Sequence, residues 1–185
     1  SFRINKNNSY ITNTNDVECK IININTAKTD SNTNILNTID NNLLTFWNAS
    51  GVTWTSSTYA IDISFDRVYS LSKALIKFKD ISSPSDYVPI VLQFREPAGI
   101  ISSGDRYPPT VIQEFTNIQN VNGFQEFVFT NPLKTVNRDS ITLWYDMSDS
   151  TFSTAGKVYE LKLFYSSGTI QPKRESVSVS KRIGI

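Results

Sequence analysis

From residue 58 onward, apolar and polar residues alternate with a period of two through most of the chain, and that rhythm constrains the fold more than any other feature. Tyr59, Ile61, Ile63 and Phe65 occupy every second position around Ala60, Asp62 and Ser64, and the same pattern returns at residues 75–78, 89–94, 124–129, 141–145 and 158–165. Successive side chains of a strand point to opposite faces, so each run predicts a strand with one apolar face. The runs are rich in β-branched and aromatic residues, and Ser83-Pro84, Pro108-Pro109 and Asn122-Gly123 punctuate them into short pieces. Long helical periodicity is absent. A sheet that is apolar on one side must pack that side against another sheet, which predicts an all-β sandwich or barrel.

The chain's 185 residues suffice for one domain with a real core and are short for two of ordinary size. We assign residues 17–166 to the β domain, 1–16 to an N-terminal arm or first strand, and 167–185 to a polar C-terminal segment or linker. The last segment reads as a stretch continuing toward other domains of the same longer chain. The first fifty residues are crowded with Asn, Ser and Thr, a bias that fits the residue usage of an AT-rich genome as well as it fits a disordered arm.

Charge and composition exclude several function classes. With 18 basic against 17 acidic residues, scattered evenly, there is no basic stripe of the kind nucleic-acid binding requires. No apolar run approaches the roughly 20 residues of a transmembrane helix. The chain has no histidine and a single cysteine, which rules out the common zinc sites, histidine-based triads and an internal disulfide. Cys19 stands in an alternating stretch and is expected to be a half-buried structural thiol. The acids Asp62, Glu96, Asp105, Glu114 and Glu126 fall in no paired motif, and there is no glycine-rich phosphate loop, so no catalytic activity is expected.

Two segments carry a family resemblance. Residues 39–47 (Ile-Asp-Asn-Asn-Leu-Leu-Thr-Phe-Trp), then Trp54, residues 60–63 (Ala-Ile-Asp-Ile), a strand near 74–78, and finally Tyr159-Glu160-Leu161-Lys162-Leu163 resemble the discoidin or coagulation-factor C-type domain and its bacterial relatives, the galactose-binding-like carbohydrate modules. The match covers roughly residues 36–79 and 157–165. Asn41 replaces a turn glycine, which asparagine's ease in the left-handed region permits, and Ser64-Phe65 replaces the usual Leu-Gly. The laminin N-terminal domain has a similar jelly-roll core and is the nearest competing assignment, but it normally carries several cysteines. The resemblance implies a two-sheet antiparallel β-sandwich, a jelly roll of the galactose-binding-like kind, whose first and last segments meet.

The resemblance also implies a calcium site. Calcium takes six to eight hard oxygen ligands, and Asp40, Thr45 and Glu160 can each offer one beside backbone carbonyls near Asn37 and Asn42. The competing reading is that residues 40–42 form a plain turn, since Asp and Asn favour turns, with Glu160 an ordinary surface acid. Trp47 and Trp54 are expected in the core, although an aromatic face can also stack on a sugar.

The long loop at residues 95–110 is the best candidate for a ligand contact surface. It is broken by prolines and glycines, and Arg95, Asp105, Arg106 and Tyr107 supply charge and an aromatic over a rigid scaffold. Asn7 and Asn48 begin N-glycosylation sequons, which matter only in a secreted eukaryotic chain. The expected role is a non-catalytic binding module of an extracellular or cell-surface protein, recognising a glycan, lipid head group or protein ligand. The alternative is a structural or assembly domain of a matrix, appendage or viral fibre.

Overall fold

Two antiparallel sheets embody the alternation written in the sequence. The computed structural model describes residues 3–4, 10–11, 15–26, 33–48, 58–86, 88–97, 110–134, 139–146 and 157–166. In chain order the strands are β1 (Arg3–Ile4), β2 (Tyr10–Ile11), β3 (Asp16–Glu18), β4 (Ile21–Asn25), β5 (Trp47–Asn48), β6 (Thr58–Phe65), β7 (Ser70–Lys77), β8 (Val91–Arg95), β9 (Val111–Phe115), β10 (Phe124–Lys134), β11 (Ser140–Asp146), β12 (Lys157–Val158) and β13 (Glu160–Ser166). A short 3-10 helix, Ile35–Ile39, lies between β4 and β5. One sheet has the order β10-β7-β13-β3 and the other β4-β6-β11-β8-β9, with two-stranded pairs β1-β2 and β12-β5 beside them.

The inward rows of both sheets form one core. Ile61, Ile63 and Phe65 of β6, Ile141 and Leu143 of β11, and Leu92 and Phe94 of β8 meet Leu71, Ala74 and Ile76 of β7, Leu161 and Leu163 of β13, and Phe127 and Phe129 of β10. Phe94 stands edge-on to Phe129 with ring centroids 4.9 Å apart, an arrangement that aromatic quadrupoles favour. Trp47 is 1% exposed and belongs to this core, as expected, while Trp54 lies outside the described residues. Cys19 is fully buried where β3 passes to β4, its N–H donating to Leu163 O at 2.8 Å, and burial pushes its thiol pKa up, which leaves it inert.

Some elements differ from the sequence expectation. The last run, residues 158–165, breaks at Tyr159 into β12, which pairs with β5, and β13, which pairs with β7 and β3. Strand β9 was not anticipated, because Val111-Ile112-Gln113-Glu114-Phe115 lacks a clean alternation. β10 carries a proline at 132 and a register shift between Val128 and Leu133. It tolerates both because it is an edge strand.

Candidate functional site

The turn at residues 40–45 is built by short side chains bonding to nearby backbone. Asn34 caps the 3-10 helix by accepting from Leu36 N, and beyond the helix Asn41 takes φ 61°, the left-handed conformation that asparagine tolerates. Asp40 Oδ1 accepts from Asn42 N at 2.9 Å, and Asn42 Oδ1 accepts from Leu44 N at 3.0 Å. Asn37 closes the turn's mouth by donating its side-chain N–H to Phe46 O at 2.9 Å.

This turn lies against β13. Asn41 N donates to Glu160 Oε2 at 3.3 Å across 119 residues of sequence. Glu160 is 1% exposed, and its Oε1 is buried without a hydrogen-bond partner. Lys162 Nζ stands 3.7 Å from Glu160 Oε2, with its own hydrogen bond to Asn41 Oδ1 at 2.6 Å. Burial dominates the electrostatics and lifts the Glu160 carboxyl to about 7, although Lys162 and Asn41 N pull the other way. A carboxyl of this kind is half neutral near physiological pH.

The oxygens of this turn and of Glu160 are of the hard kind that a cation such as calcium takes. Thr45 Oγ1 lies 2.5 Å from Asp40 Oδ2 and 3.1 Å from Asn42 O, and one hydroxyl proton can serve only one of those acceptors. With the orphaned Glu160 oxygen, the set offers two carboxylates, a hydroxyl and a carbonyl. Among the described residues no three His, Cys, Asp or Glu side chains cluster as a metal group, so neutral oxygens would have to complete a coordination shell. Calcium accepts that mixture, whereas softer metals prefer nitrogen or sulfur. Glu160 as an exposed edge acid is not what the structure contains.

Of the four residues singled out for ligand contact, Arg95 is described; Asp105, Arg106 and Tyr107 lie outside the described residues. Arg95 ends β8 on the outward face of the five-stranded sheet. Its guanidinium carbon sits 4.2 Å from the centre of the Trp144 ring, and its Nε donates to Gln93 Oε1 at 2.7 Å. Gln93 in turn donates to Glu114 on β9. Register places Thr142 opposite Arg95, and its hydroxyl donates to Asp62 at 2.7 Å. The strip from β6 to β9 is therefore a polar face carrying one half-buried indole. Trp144 is half-buried on the outward row, beneath Arg95. Asn48 stands half-buried in β5.

No family model matches the sequence, and no curated protein matches it. Solved structures do share the fold. The paired family 32 carbohydrate-binding modules CBM32-1 and CBM32-2 of Clostridium perfringens ZmpB superpose with a TM-score of 0.58 at 14% identity, over 79% of this chain and 34% of that one. The chain thus spans about a third of that structure. The family 32 module of AlyQ, solved with 4,5-unsaturated mannuronic acid, gives 0.55 at 17% identity over 81% of this chain and 99% of that one. The C. perfringens NanJ module, solved with galactose, gives 0.57 at 14% identity, 80% and 99%. The fold is accordingly an antiparallel β-sandwich of the galactose-binding-like kind.

Proposed function

We propose that the chain is a non-catalytic carbohydrate-recognition module of a longer extracellular or cell-surface protein. The observation that carries this reading is the Arg95–Trp144 pair on the polar face of the five-stranded sheet. Sugars are recognised by aromatic groups and by planar polar groups that pair with their hydroxyls, and here the Arg95 guanidinium stacked on the Trp144 ring presents such a polar plane, bordered by indole, on rigid strands. Modules of similar fold support the reading: that of NanJ was solved with galactose and that of AlyQ with 4,5-unsaturated mannuronic acid. Among the described residues no helix is long and apolar enough to cross a membrane.

Calcium is part of the proposal. Asp40, Thr45 and Glu160, with carbonyls near Asn37 and Asn42, would hold it, and its role would be to fasten the turn to β13. The functional test is a glycan array probed with the purified chain. A saturable signal that Arg95→Ala and Trp144→Ala each weaken roughly tenfold is expected for contact residues. A blank array from folded protein, with oligomers in light scattering, would instead point to the assembly role.

A further inference from the structure

The edge strands β9 and β10 run along the same side of the sandwich, and an open cleft of about 460 Å³ lies between them. That size is within the range of small-molecule sites. Resting on the reading of the chain as a glycan-binding module, we propose that this cleft is a second saccharide seat, separate from the Arg95–Trp144 face, and that it takes a neutral, hydroxyl-rich sugar ring.

The apolar part of the cleft comes from the core. Phe115 is half-buried with its ring centroid 5.3 Å from that of Phe127, and both line the cleft. Val128, 55% exposed, adds an apolar rim on β10. The accessible part of Phe115 and the side chain of Val128, over the buried Phe127, offer apolar surface to the C–H face of a pyranose.

The polar part is amide-rich and held in place. Gln125, buried at the start of β10, clamps the backbone of Gln119 in both directions: its Oε1 accepts from Gln119 N at 2.8 Å and its Nε2 donates to Gln119 O at 2.7 Å. A primary amide has two N–H groups and two lone pairs, so the two bonds together leave Gln125 one donor and one acceptor to spare. Asn117 and Gln119 bring exposed amides to the same lip. The loop carrying them is anchored from behind, where Lys79 Nζ donates to Asn120 Oδ1 at 2.8 Å and Gly123 N donates to Lys79 O at 2.9 Å. Gly123 has φ 87°, a conformation costly for other residues. As an edge strand, β10 also turns alternate backbone N–H and C=O groups away from β7.

Charge decides the sugar class. Among the described residues the ionisable group lining the cleft is Glu126, an exposed carboxylate whose neighbour Lys73, 3.7 Å away, is buried and already paired with Asp16. An anionic guest would bring a second negative charge beside it, whereas a neutral sugar can donate hydroxyls to it. Modules of this fold have been solved with both neutral and uronate sugars.

The test is an amide-resolved NMR titration of the intact chain with galactose and, separately, galacturonate, which differ by the carboxylate. Galactose should shift residues 115–128 saturably, and galacturonate should bind there roughly tenfold more weakly. Asn117→Ala and Val128→Trp, both at exposed positions and checked for unchanged melting, should each weaken galactose about tenfold. Galactose shifts confined to the Arg95–Trp144 face, or affinity unchanged in both variants, would overturn the cleft while leaving the glycan reading intact. Equal binding of the two sugars in the cleft would overturn the neutral specificity. A blank glycan array with no galactose shifts would remove both.

Discussion

A carboxylate taken out of water with one oxygen unpaired must either hold a proton or sit beside a cation, because leaving it charged and alone costs several kcal/mol. Glu160 is in that position, with Lys162 giving partial relief and Asp40 and Glu18 adding negative charge nearby. Its folded value of about 7 lies above the ordinary 4.5. The folded state therefore binds more protons than the unfolded one between those values, so Glu160's contribution is fully present below about 4.5 and is lost as pH rises through about 7. In chelator, wild type minus Glu160→Gln should show stability falling by roughly 3 kcal/mol from pH 5 to pH 8, read from urea unfolding at each pH. Calcium should flatten that slope, since it favours the ionised form. The sequence placed this acid on a strand near the chain's end, but its burial depends on a turn that arrives 119 residues earlier. No local pattern encodes that encounter.

At the scale of elements, alternation tells which residues share a face and is silent about what covers it. The outward row of β7 is Lys73, Leu75 and Lys77, and by pattern the lysines belong in water. All three are buried, with Leu75 packed among Phe124 and Phe164 and against Leu43 from the turn. Lys73 pairs with Asp16 on β3's side of the sheet. Lys77, 1% exposed, donates to Asp80 Oδ1 at 2.6 Å and to Leu43 O at 2.8 Å. Burial opposes ionisation of Asp80, yet hydrogen bonds from Lys77 and Ser82 outweigh it and hold the carboxyl at about 2. This contribution is present above the ordinary 3.8 and disappears as pH falls through about 2. Asp80→Ala should cost about 3–5 kcal/mol in denaturant unfolding at neutral pH, because it strands a buried ammonium. Pairing it with Lys77→Met should recover much of the loss; an equally large loss in the double variant would show that the pair is not the cause. The strands themselves were legible: β6, β8 and β11 lie where alternation put them. β9 was not, since its pairing with β8 supplies the order that its own sequence lacks.

Over the whole molecule, the Asn41–Glu160 contact ties the beginning of the sandwich to its end. A cation there would bind only the folded chain, so stability should rise by mass action, about 2.7 kcal/mol at a hundredfold excess over the dissociation constant. For a domain of this size that is a melting shift of roughly 5–10 °C between calcium and chelator. Asp40→Ala and Glu160→Ala should each abolish the shift, and identical melts in both buffers would remove calcium from the proposal. The sequence by itself determined the all-β class, the placement of most long strands, the turn at residues 40–42 and the burial of Trp47, because side-chain period, turn chemistry and aromatic hydrophobicity act over a few residues. Tertiary structure alone decided that Glu160 is dry, that Arg95 lies over Trp144, that lysines line a covered face, and that two sheet edges leave a cleft between β9 and β10. Each of those depends on strands distant in sequence coming together, and the free energy of burial belongs to the assembled sheets, not to any one segment of the chain.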